Sequence, residues 1–180
     1  AVVFTPRERD WQRNEVIVDN DGAGSYQEVK SRKGKWKTTS TSGFALKRNI
    51  YVDGQNPFTE GTARYAHTEK KAEKAFAQWI PTIPETGKYA VYVSYQSLPE
   101  SVTDAKYLVF HKGGVTEFLV NQQIGGGTWV YLGSFEFDKG YNDYGMVVLS
   151  NQSKHKGVVC ADAVRYGGGR GHVDPGGQTS

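Results

Sequence analysis

The chain has 180 residues, a formal net charge of +3, a high content of Tyr and Trp, and a single cysteine. This length suits one domain with a substantial hydrophobic core. So small a charge argues against nucleic acid as a partner, one cysteine excludes an internal disulfide, and no apolar stretch is long enough to span a bilayer.

Predicted strands follow one another along the first third of the chain. Residues 1–15 are charged and aperiodic, which predicts an arm or linker before the folded domain. Short strands are then predicted in the segments EVIVD, KWKTTSTSG and FALKRNIYVDG, with turns rich in Asp, Asn and Gly between them. The basic cluster from Lys30 to Lys37 suits contact with a phosphate backbone or an acidic polysaccharide, but a charged sheet edge that resists aggregation is the favoured interpretation.

Residues 68–80, TEKKAEKAFAQWI, carry an ambiguous pattern. Their alanines together with Phe76 and Trp79 fit the apolar stripe of a helix, so propensity alone predicts a helix. The same residues also alternate as a strand would, and Pro81 closes the segment.

The rest of the chain alternates clearly between apolar and polar residues. Strands are predicted in KYAVYVSYQ, AKYLVFHKGG, VTEFLVNQQ, WVYLGSFEF, YGMVVLSN and VVCADAVRY. Gly113 and Gly114 predict a tight hairpin between two of them. About ten strands with at most one short helix indicate an all-β, antiparallel β-sandwich over residues 16–166. The glycine-rich residues 167–180 are interpreted as a junction towards a following domain.

The turn between two of these strands combines amides with glycines and ends on an aromatic ring. Asn121, Gln122 and Gln123 are candidates for reading sugar hydroxyls, and they are equally suited to closing their own loop through hydrogen bonds. Trp129 is a candidate for stacking on a sugar or for packing in the core. Structural roles are predicted for the glycines, which are Gly125, Gly126 and Gly127.

Two residues of the last strand are predicted to be buried. Cys160 reads as a small, inert core thiol. Asp162 has the same parity as Cys160, so its carboxylate must be hydrogen-bonded, and we expect it to hold a neighbouring loop, with the 121–127 turn as the candidate.

Recognised catalytic motifs are absent from the sequence. The four histidines are scattered without metal-ligand spacing, so no metal or cofactor is expected. Asp19, Asn20 and Asp21 have oxygens that suit calcium, but the hydrogen bonds of an Asx turn are the favoured explanation. Acidic residues that a glycosidase would need in facing pairs cannot be paired from sequence.

Several blocks of the sequence together resemble the golvesin C-terminal-like domain, also described as a xanthan-lyase carbohydrate-binding-like domain. The blocks are AFAQWIPTIPETGKYAVYVSY, FHKGGVTEFLVNQQIGGGTWVYLGSFEFDKG, and VVLSN followed by VVCADAVRYGGG. The resemblance covers about residues 60–169 and implies a jelly-roll-like sandwich, in which residues 74–80 form a strand and not a helix. A second resemblance is carried by the segments TPRERD, NEVIVDND, the basic cluster, YVDGQNPF with GTARY, and the terminal YGGGRGHVDPGGQTS. These are similar to secreted bacterial proteins labelled xanthan lyase or N-acetylmuramoyl-L-alanine amidase.

The resemblance implies a non-catalytic accessory module of an exported polysaccharide- or peptidoglycan-degrading hydrolase. Expected partners are a glycan or peptidoglycan and an adjacent hydrolase domain, and the expected location is secreted, periplasmic or cell-surface. The alternatives are a spacer or docking domain that braces the hydrolase, and a lyase or hydrolase in its own right. If the module binds sugar, the candidate rings for stacking are Trp36, Trp129, Tyr141 and Tyr144.

Overall fold

The computed structural model describes residues 15–21, 25–30, 35–44, 56–141 and 143–167, and the backbone of residues 172 and 173. The predicted arm before Glu15, the predicted strand beyond Phe44, and nearly all of the predicted junction after Gly167 lie outside the described residues.

The described residues form an all-β fold. The strands are, in chain order, β1 (Val16–Asp19), β2 (Tyr26–Lys30), β3 (Lys37–Gly43), β4 (Gly61–His67), β5 (Ala75–Trp79), β6 (Thr82–Ile83), β7 (Gly87–Val93), β8 (Ala105–His111), β9 (Gly114–Val120), β10 (Trp129–Phe137), β11 (Gly140–Tyr141), β12 (Val147–Ser150), β13 (Val158–Ala161), β14 (Ala163–Tyr166) and β15 (His172–Val173). Two three-residue 3₁₀ turns, Pro57–Thr59 and Asp143–Gly145, and no α-helix occur in these ranges.

The strands are arranged in two five-stranded sheets and two smaller ones. Sheet A has the order β1-β14-β7-β10-β15, and sheet B has the order β2-β5-β12-β8-β9. Sheet C is three-stranded, with the order β13-β4-β3, and β11 pairs with β6. Among the described strands only β10 and β15 pair in parallel. The predicted antiparallel β-sandwich is confirmed.

Sheets A and B enclose the main hydrophobic core. Alternate side chains of each strand point inward, as the two-residue period of a pleated strand requires. The fully buried members include, from sheet A, Val91, Val93, Val130, Val164 and Tyr166, and, from sheet B, Trp79, Tyr107, Val109, Val147 and Leu149.

The ambiguous segment 68–80 contains strand β5, as the resemblance implied, and not the helix that propensity predicted. Ala75, Ala77 and Trp79 are buried in alternation, and β5 lies between β2 and β12 in sheet B. Burial on a sheet therefore overrides the helical propensity of a segment rich in Ala, Lys and Glu.

The predicted strand VVCADAVRY is divided between two sheets at one residue. Strand β13 belongs to sheet C and β14 to sheet A, and only Asp162 separates them. The Asp162 carbonyl accepts hydrogen bonds from the Asn20 backbone N–H (3.0 Å) and from Trp79 Nε1 (3.1 Å). These bonds tie the point of change both to sheet A and to the core side of sheet B.

A short segment after β7 extends sheet C beyond β13. Val158 N–H donates to the Glu100 carbonyl (2.9 Å), and Val102 N–H donates to the Val158 carbonyl (3.1 Å). This parallel bridge needs a close approach at Gly157, where a Cβ atom would lie 2.3 Å from the Glu100 carbonyl oxygen.

Gly157→Ala should therefore destabilise the fold by about 1–3 kcal/mol, the usual cost of overpacking a site whose neighbours are backbone atoms. Urea unfolding measures this. Gly87→Ala is the matched control, because a Cβ atom at Gly87 would meet nothing within 4 Å. Equal stabilities of the two variants would show that residues 98–101 do not pack against residue 157 as described.

Candidate functional site

An open cleft of about 440 Å³ crosses the exposed face of sheet C. Three parts of the chain form it: the irregular strand β3, the strand β4, and the segment that bridges to β13. Its described lining residues are Thr38, Thr39, Ser40, Tyr65, His67, Leu98, Pro99, Glu100 and Val158.

The floor of the cleft is built by β4 and β13. Tyr65 and His67 are two residues apart on β4, so their side chains leave the same face of the strand. Their ring centroids are 6.0 Å apart and the ring planes are nearly perpendicular (81°). His67 pairs in register with Val158, which continues the floor.

One wall of the cleft is the segment 98–100. Besides its bridge to Val158, this segment is held by Leu98 N–H, which donates to Ser101 Oγ (2.8 Å), and by Gln96 N–H, which donates to Cys160 Sγ (3.3 Å). Glu100 is exposed at the top of this wall. The wall is thus fixed by backbone hydrogen bonds rather than by side-chain packing alone.

The opposite wall is the middle of β3, where the register with β4 shifts between Thr38 and Ser42. Thr39 Oγ1 donates to the Thr41 carbonyl (2.8 Å), which satisfies this carbonyl within the irregular stretch. Ser40 and Thr38 remain exposed there. The Thr38 hydroxyl accepts from an Arg64 guanidinium nitrogen (2.8 Å), so this wall offers the Ser40 hydroxyl to a ligand in the cleft.

The far face of β4 carries an ion pair that fixes the strand. Arg64 Nε lies 2.7 Å from Glu28 Oε2, and a second guanidinium nitrogen lies 2.8 Å from Glu28 Oε1. Tyr26 Oη donates to the same carboxylate (2.7 Å). This bidentate pair joins sheet C to strand β2 of sheet B.

The lining residues are chemically suited to the binding of a sugar. An aromatic ring offers a face to C–H groups, and hydroxyl, imidazole and carboxylate groups can hydrogen-bond to sugar hydroxyls. Hydrolysis by the usual glycosidase mechanism needs two carboxyl groups, whereas Glu100 is the only acidic residue among the described lining residues.

The predicted amide cluster lies elsewhere, at the turn after β9. Gln122 is fully buried; its Oε1 accepts from Cys160 N–H (2.8 Å), and its Nε2 donates to the Cys160 carbonyl (2.9 Å) and to Tyr107 Oη (3.0 Å). The Gln122 side chain therefore hydrogen-bonds to the backbone of β13 as a neighbouring strand would, and it has no exposed atom that could contact a glycan.

Of the other two amides, the Asn121 side chain closes its own turn and the Gln123 side chain ties the turn to residue 101. Asn121 Oδ1 accepts from Gln123 N–H (3.0 Å), and Gln123 Nε2 donates to the Ser101 carbonyl (3.0 Å). Asn121 is partly exposed and Gln123 is exposed. Their geometry matches the loop-closing alternative, and neither lies in the cleft.

The three glycines of this turn meet steric needs. Gly125 and Gly127 have positive φ values of 79° and 73°, which L-residues rarely adopt. A Cβ atom on Gly126 would lie 2.4 Å from the Ser97 backbone nitrogen. The turn therefore packs its bare backbone against the residues that precede the cleft wall.

Two of the candidate rings are buried. Trp129 is 5% exposed and packs on the outer face of sheet A against Phe44 and Phe58, with ring centroids 5.0 and 5.5 Å away. Trp36 is 7% exposed and belongs to the main core. Both rings serve packing in this conformation.

The other two rings are exposed, and they lie far from the amides. Tyr141 is 53% exposed and Tyr144 is 81% exposed. The chain after Tyr144 adjoins the end of β8, where Phe110 N–H donates to the Met146 carbonyl, whereas the 121–127 turn follows Val120, which pairs with Ala105 at the start of β8. At about 3.4 Å per strand residue the two groups are roughly 17 Å apart. The sequence-predicted site residues therefore do not form one site.

Asp162 is fully buried, in agreement with its predicted parity, but it holds a different loop from the one that we expected. Its Oδ2 accepts from Phe44 N–H (2.8 Å), so it fixes the end of β3 and not the 121–127 turn. That turn is held instead by Tyr95, whose Oη donates to the Ile124 carbonyl (2.7 Å). The nearby Cys160 is also buried, and burial raises the pKa of its thiol to about 12.

The carboxyl groups of Asp19 and Asp162 face each other beside this point. Burial first, and then the charge of Asp21, raise the pKa of Asp19 to about 7. Burial and the charge of Asp19 raise the pKa of Asp162 well above its ordinary value. Among the described residues neither Oδ1 atom has a hydrogen-bond partner, and we expect the two carboxyl groups to share a proton. Asp21 instead accepts from Thr62 N–H (2.9 Å), as in the turn interpretation.

The described ranges contain neither a cluster of metal-ligating side chains nor a helix suited to a membrane. No group of three or more His, Cys, Asp or Glu side chains converges as a metal site there. Nor does any helix in those ranges have the length and apolar character that crossing a membrane requires.

Tyr65, His67 and Glu100 were missed by sequence reasoning. The signal available was the spacing of Tyr65 and His67 within the strand-like run GTARYAH, which places both side chains on one face. Nothing in the sequence indicated that the 98–100 segment would lie beside them, because that contact depends on the pairing of β13 with residue 100.

Comparison with known proteins points to one family. The family described as Golvesin C-terminal domain matches residues 16–167. The xanthan lyase of Bacillus sp. (strain GL1) is 32% identical over 154 residues, covering 84% of this chain and 14% of that enzyme. A solved structure of Paenibacillus xanthan lyase matches with a TM-score of 0.63 and 26% identity, covering 94% of this chain and 14% of the other. The chain thus spans about one seventh of the length of these relatives.

The Asp19–Asp162 pair predicts a pH dependence of stability. The folded-state pKa of Asp19 lies above its unfolded value of about 3.9, so the folded protein binds the proton more tightly. The contribution of the pair to the free energy of unfolding is therefore complete below about pH 4 and is lost as the pH rises to about 7, at no more than about 1.4 kcal/mol per pH unit for one proton.

Urea unfolding from pH 4 to pH 8 measures this contribution as the difference between the wild type and Asp19→Asn, which removes the shared proton and should flatten the decline. The control is Asp138→Asn, which makes the same charge change at an exposed carboxylate 3.5 Å from Lys112 Nζ. Parallel pH profiles for the wild type and Asp19→Asn would contradict the shared proton.

Proposed function

Because this chain belongs to the Golvesin C-terminal domain family, we propose that it is a carbohydrate-binding accessory module of a polysaccharide-degrading enzyme. The observation that carries the proposal is the open cleft on sheet C, with Tyr65 and His67 on its floor. The module would hold a glycan by stacking on Tyr65 and by hydrogen bonds to the groups on the two walls.

The relatives support an accessory role. Both are xanthan lyases, and this chain corresponds to 14% of each. A segment of that size leaves most of such an enzyme to other domains, which would supply the cleavage. We propose that the parent enzyme is exported, since a polymeric polysaccharide substrate lies outside the cell. Xanthan is the first ligand to test, and peptidoglycan is the alternative.

A docking role is the second candidate, and the exposure of Tyr141 and Tyr144 favours it. Large aromatic side chains that stand in solvent are often covered by a partner surface. In that role the 3₁₀ turn Asp143–Gly145 would contact an adjacent hydrolase domain, and the cleft on sheet C would stay empty.

The ligand-binding test compares two tyrosine variants in glycan arrays and calorimetry with xanthan and peptidoglycan fragments. Tyr65→Ala should weaken glycan binding at least about tenfold, which corresponds to about 1.4 kcal/mol, because the stacking face is lost. Tyr65→Phe keeps the ring and should retain most of the affinity. Tyr144→Ala is the matched control and should bind like the wild type, and thermal unfolding checks that all variants fold.

Three outcomes would overturn the proposal in different ways. Loss of binding in Tyr144→Ala but not in Tyr65→Ala would place the glycan at the other end of the sandwich. Absence of binding to every glycan tested would favour docking. Release of unsaturated or reducing ends by the purified wild-type chain would establish an enzyme in its own right.

A further inference from the structure

A second hollow, of about 320 Å³, lies next to the cleft, on the outer face of sheet B. Its volume is at the lower end of the range of about 300–1,000 Å³ for small-ligand sites. It contains three lysines and a partly exposed leucine. Its described lining residues are Lys70, Asp104, Lys106, Glu117, Leu119, Gln152, Ser153 and Lys154.

The acidic residues of the hollow are already engaged. One Asp104 oxygen accepts from Ser153 Oγ and the other from Lys154 N–H (3.0 Å), so this carboxylate fixes the backbone of the turn after β12. Lys106 Nζ donates to Gln152 Oε1 (2.8 Å) and lies 3.8 Å from Glu117 Oε1. The Lys106 charge is therefore largely matched within the hollow.

The ammonium groups of Lys70 and Lys154 and the Asp104 carboxylate, whose hydrogen-bond donors are both neutral, are the remaining charges. Three lysines against two carboxylates thus leave the hollow with a net charge of +1. The Lys70 and Lys154 side chains are exposed, and neither makes an ion pair within the described ranges. Their backbones are fixed next to each other, because Glu69 N–H donates to the Asn151 carbonyl (2.9 Å) and Ser153 N–H donates to the Glu69 carbonyl (3.0 Å). Two lysines on neighbouring, hydrogen-bonded segments thus line the same hollow.

An apolar surface accompanies these charges. Leu119 is 52% exposed and lies opposite Lys106 in the pairing of β8 with β9. A sugar ring that bears a carboxylate has both of the complementary features, an apolar C–H face and an anionic group. A free inorganic anion would use the lysines but not the leucine.

Three chain segments contribute lining residues to both the hollow and the cleft. His67 and Lys70 are three residues apart, Glu100 and Asp104 are four apart, and Lys154 and Val158 are four apart. At no more than about 3.6 Å per residue, the two sites lie within about 15 Å of each other. One polysaccharide chain is long enough to occupy both.

We propose that the hollow is an anion-binding subsite that receives a carboxylate-bearing unit of the polysaccharide held in the cleft, through Lys70 and Lys154. This inference rests on the proposed glycan-binding function and adds the ligand class, an acidic polysaccharide. The subsite would add affinity by bivalent contact with the same chain. It predicts binding that weakens with salt, since exposed charges are screened.

The test measures binding of the whole chain to xanthan and to polygalacturonate, each beside its carboxyl-reduced form, by affinity electrophoresis and calorimetry. The wild type should bind at least one carboxylated polymer about tenfold more tightly than the reduced form, with the difference shrinking from 20 to 300 mM NaCl. Lys70→Ala/Lys154→Ala should abolish this difference and leave binding of the reduced polymer unchanged.

The matched control is Lys71→Ala/Lys156→Ala, which removes the same charge from exposed neighbours that do not line the hollow. It should retain the preference for the carboxylated polymer. Equal losses in the two double variants would show a general charge effect and overturn the subsite, as would a wild type without preference. If Tyr65→Ala abolishes the preference and the lysine variant does not, the cleft itself reads the carboxylate, which overturns this inference and leaves the proposed function standing.

Discussion

The segment 158–166 serves two sheets, and its change of sheet at Asp162 is the constraint on which the rest of the fold depends. A buried carboxylate without compensation is costly, so each polar atom at this point must find a partner. The Asp162 carbonyl accepts hydrogen bonds from Asn20 N–H and Trp79 Nε1, one of its carboxylate oxygens accepts from Phe44 N–H, and its carboxyl group interacts with that of Asp19. Strand β1, the end of β3 and the core side of sheet B are thereby fixed by one residue.

The same segment connects the core to the cleft on sheet C. Val158 pairs with His67 on one side and bridges to residues 100–102 on the other, so β13 holds both the floor and a wall of the cleft. Gln122 reinforces β13 from the interior through hydrogen bonds to Cys160. The cleft is therefore a product of the packing, and a glycan would meet a preformed surface rather than a loop that must first be ordered.

Local patterns in the sequence were sufficient to predict the fold but not the site. The strand at residues 129–137, the glycine pair of the β8–β9 hairpin and the burial of Cys160 were each predicted from neighbours in sequence, and all three occur in the structure. The partner of Gln122 lies 38 residues away and that of Asp162 lies 118 residues away. The periodicity of a sequence does not encode contacts between such distant residues. By sequence the Gln122 amide is therefore a candidate ligand contact, although in the structure it is buried and hydrogen-bonded to Cys160. For the same reason Tyr65, His67 and Glu100 were not recognised as residues of one cleft.

The central claim is that this domain binds a glycan in the cleft on sheet C without cleaving it. Backbone NMR of the ¹⁵N-labelled chain, titrated with a xanthan-derived oligosaccharide and with peptidoglycan fragments, tests this most directly. The account predicts that one ligand shifts the amide signals of residues 38–40, 65–67 and 98–100 in a saturable way while the ligand's own spectrum stays intact. Shifts confined to residues 121–127 or 143–145, or new ligand signals from cleaved product, would contradict it.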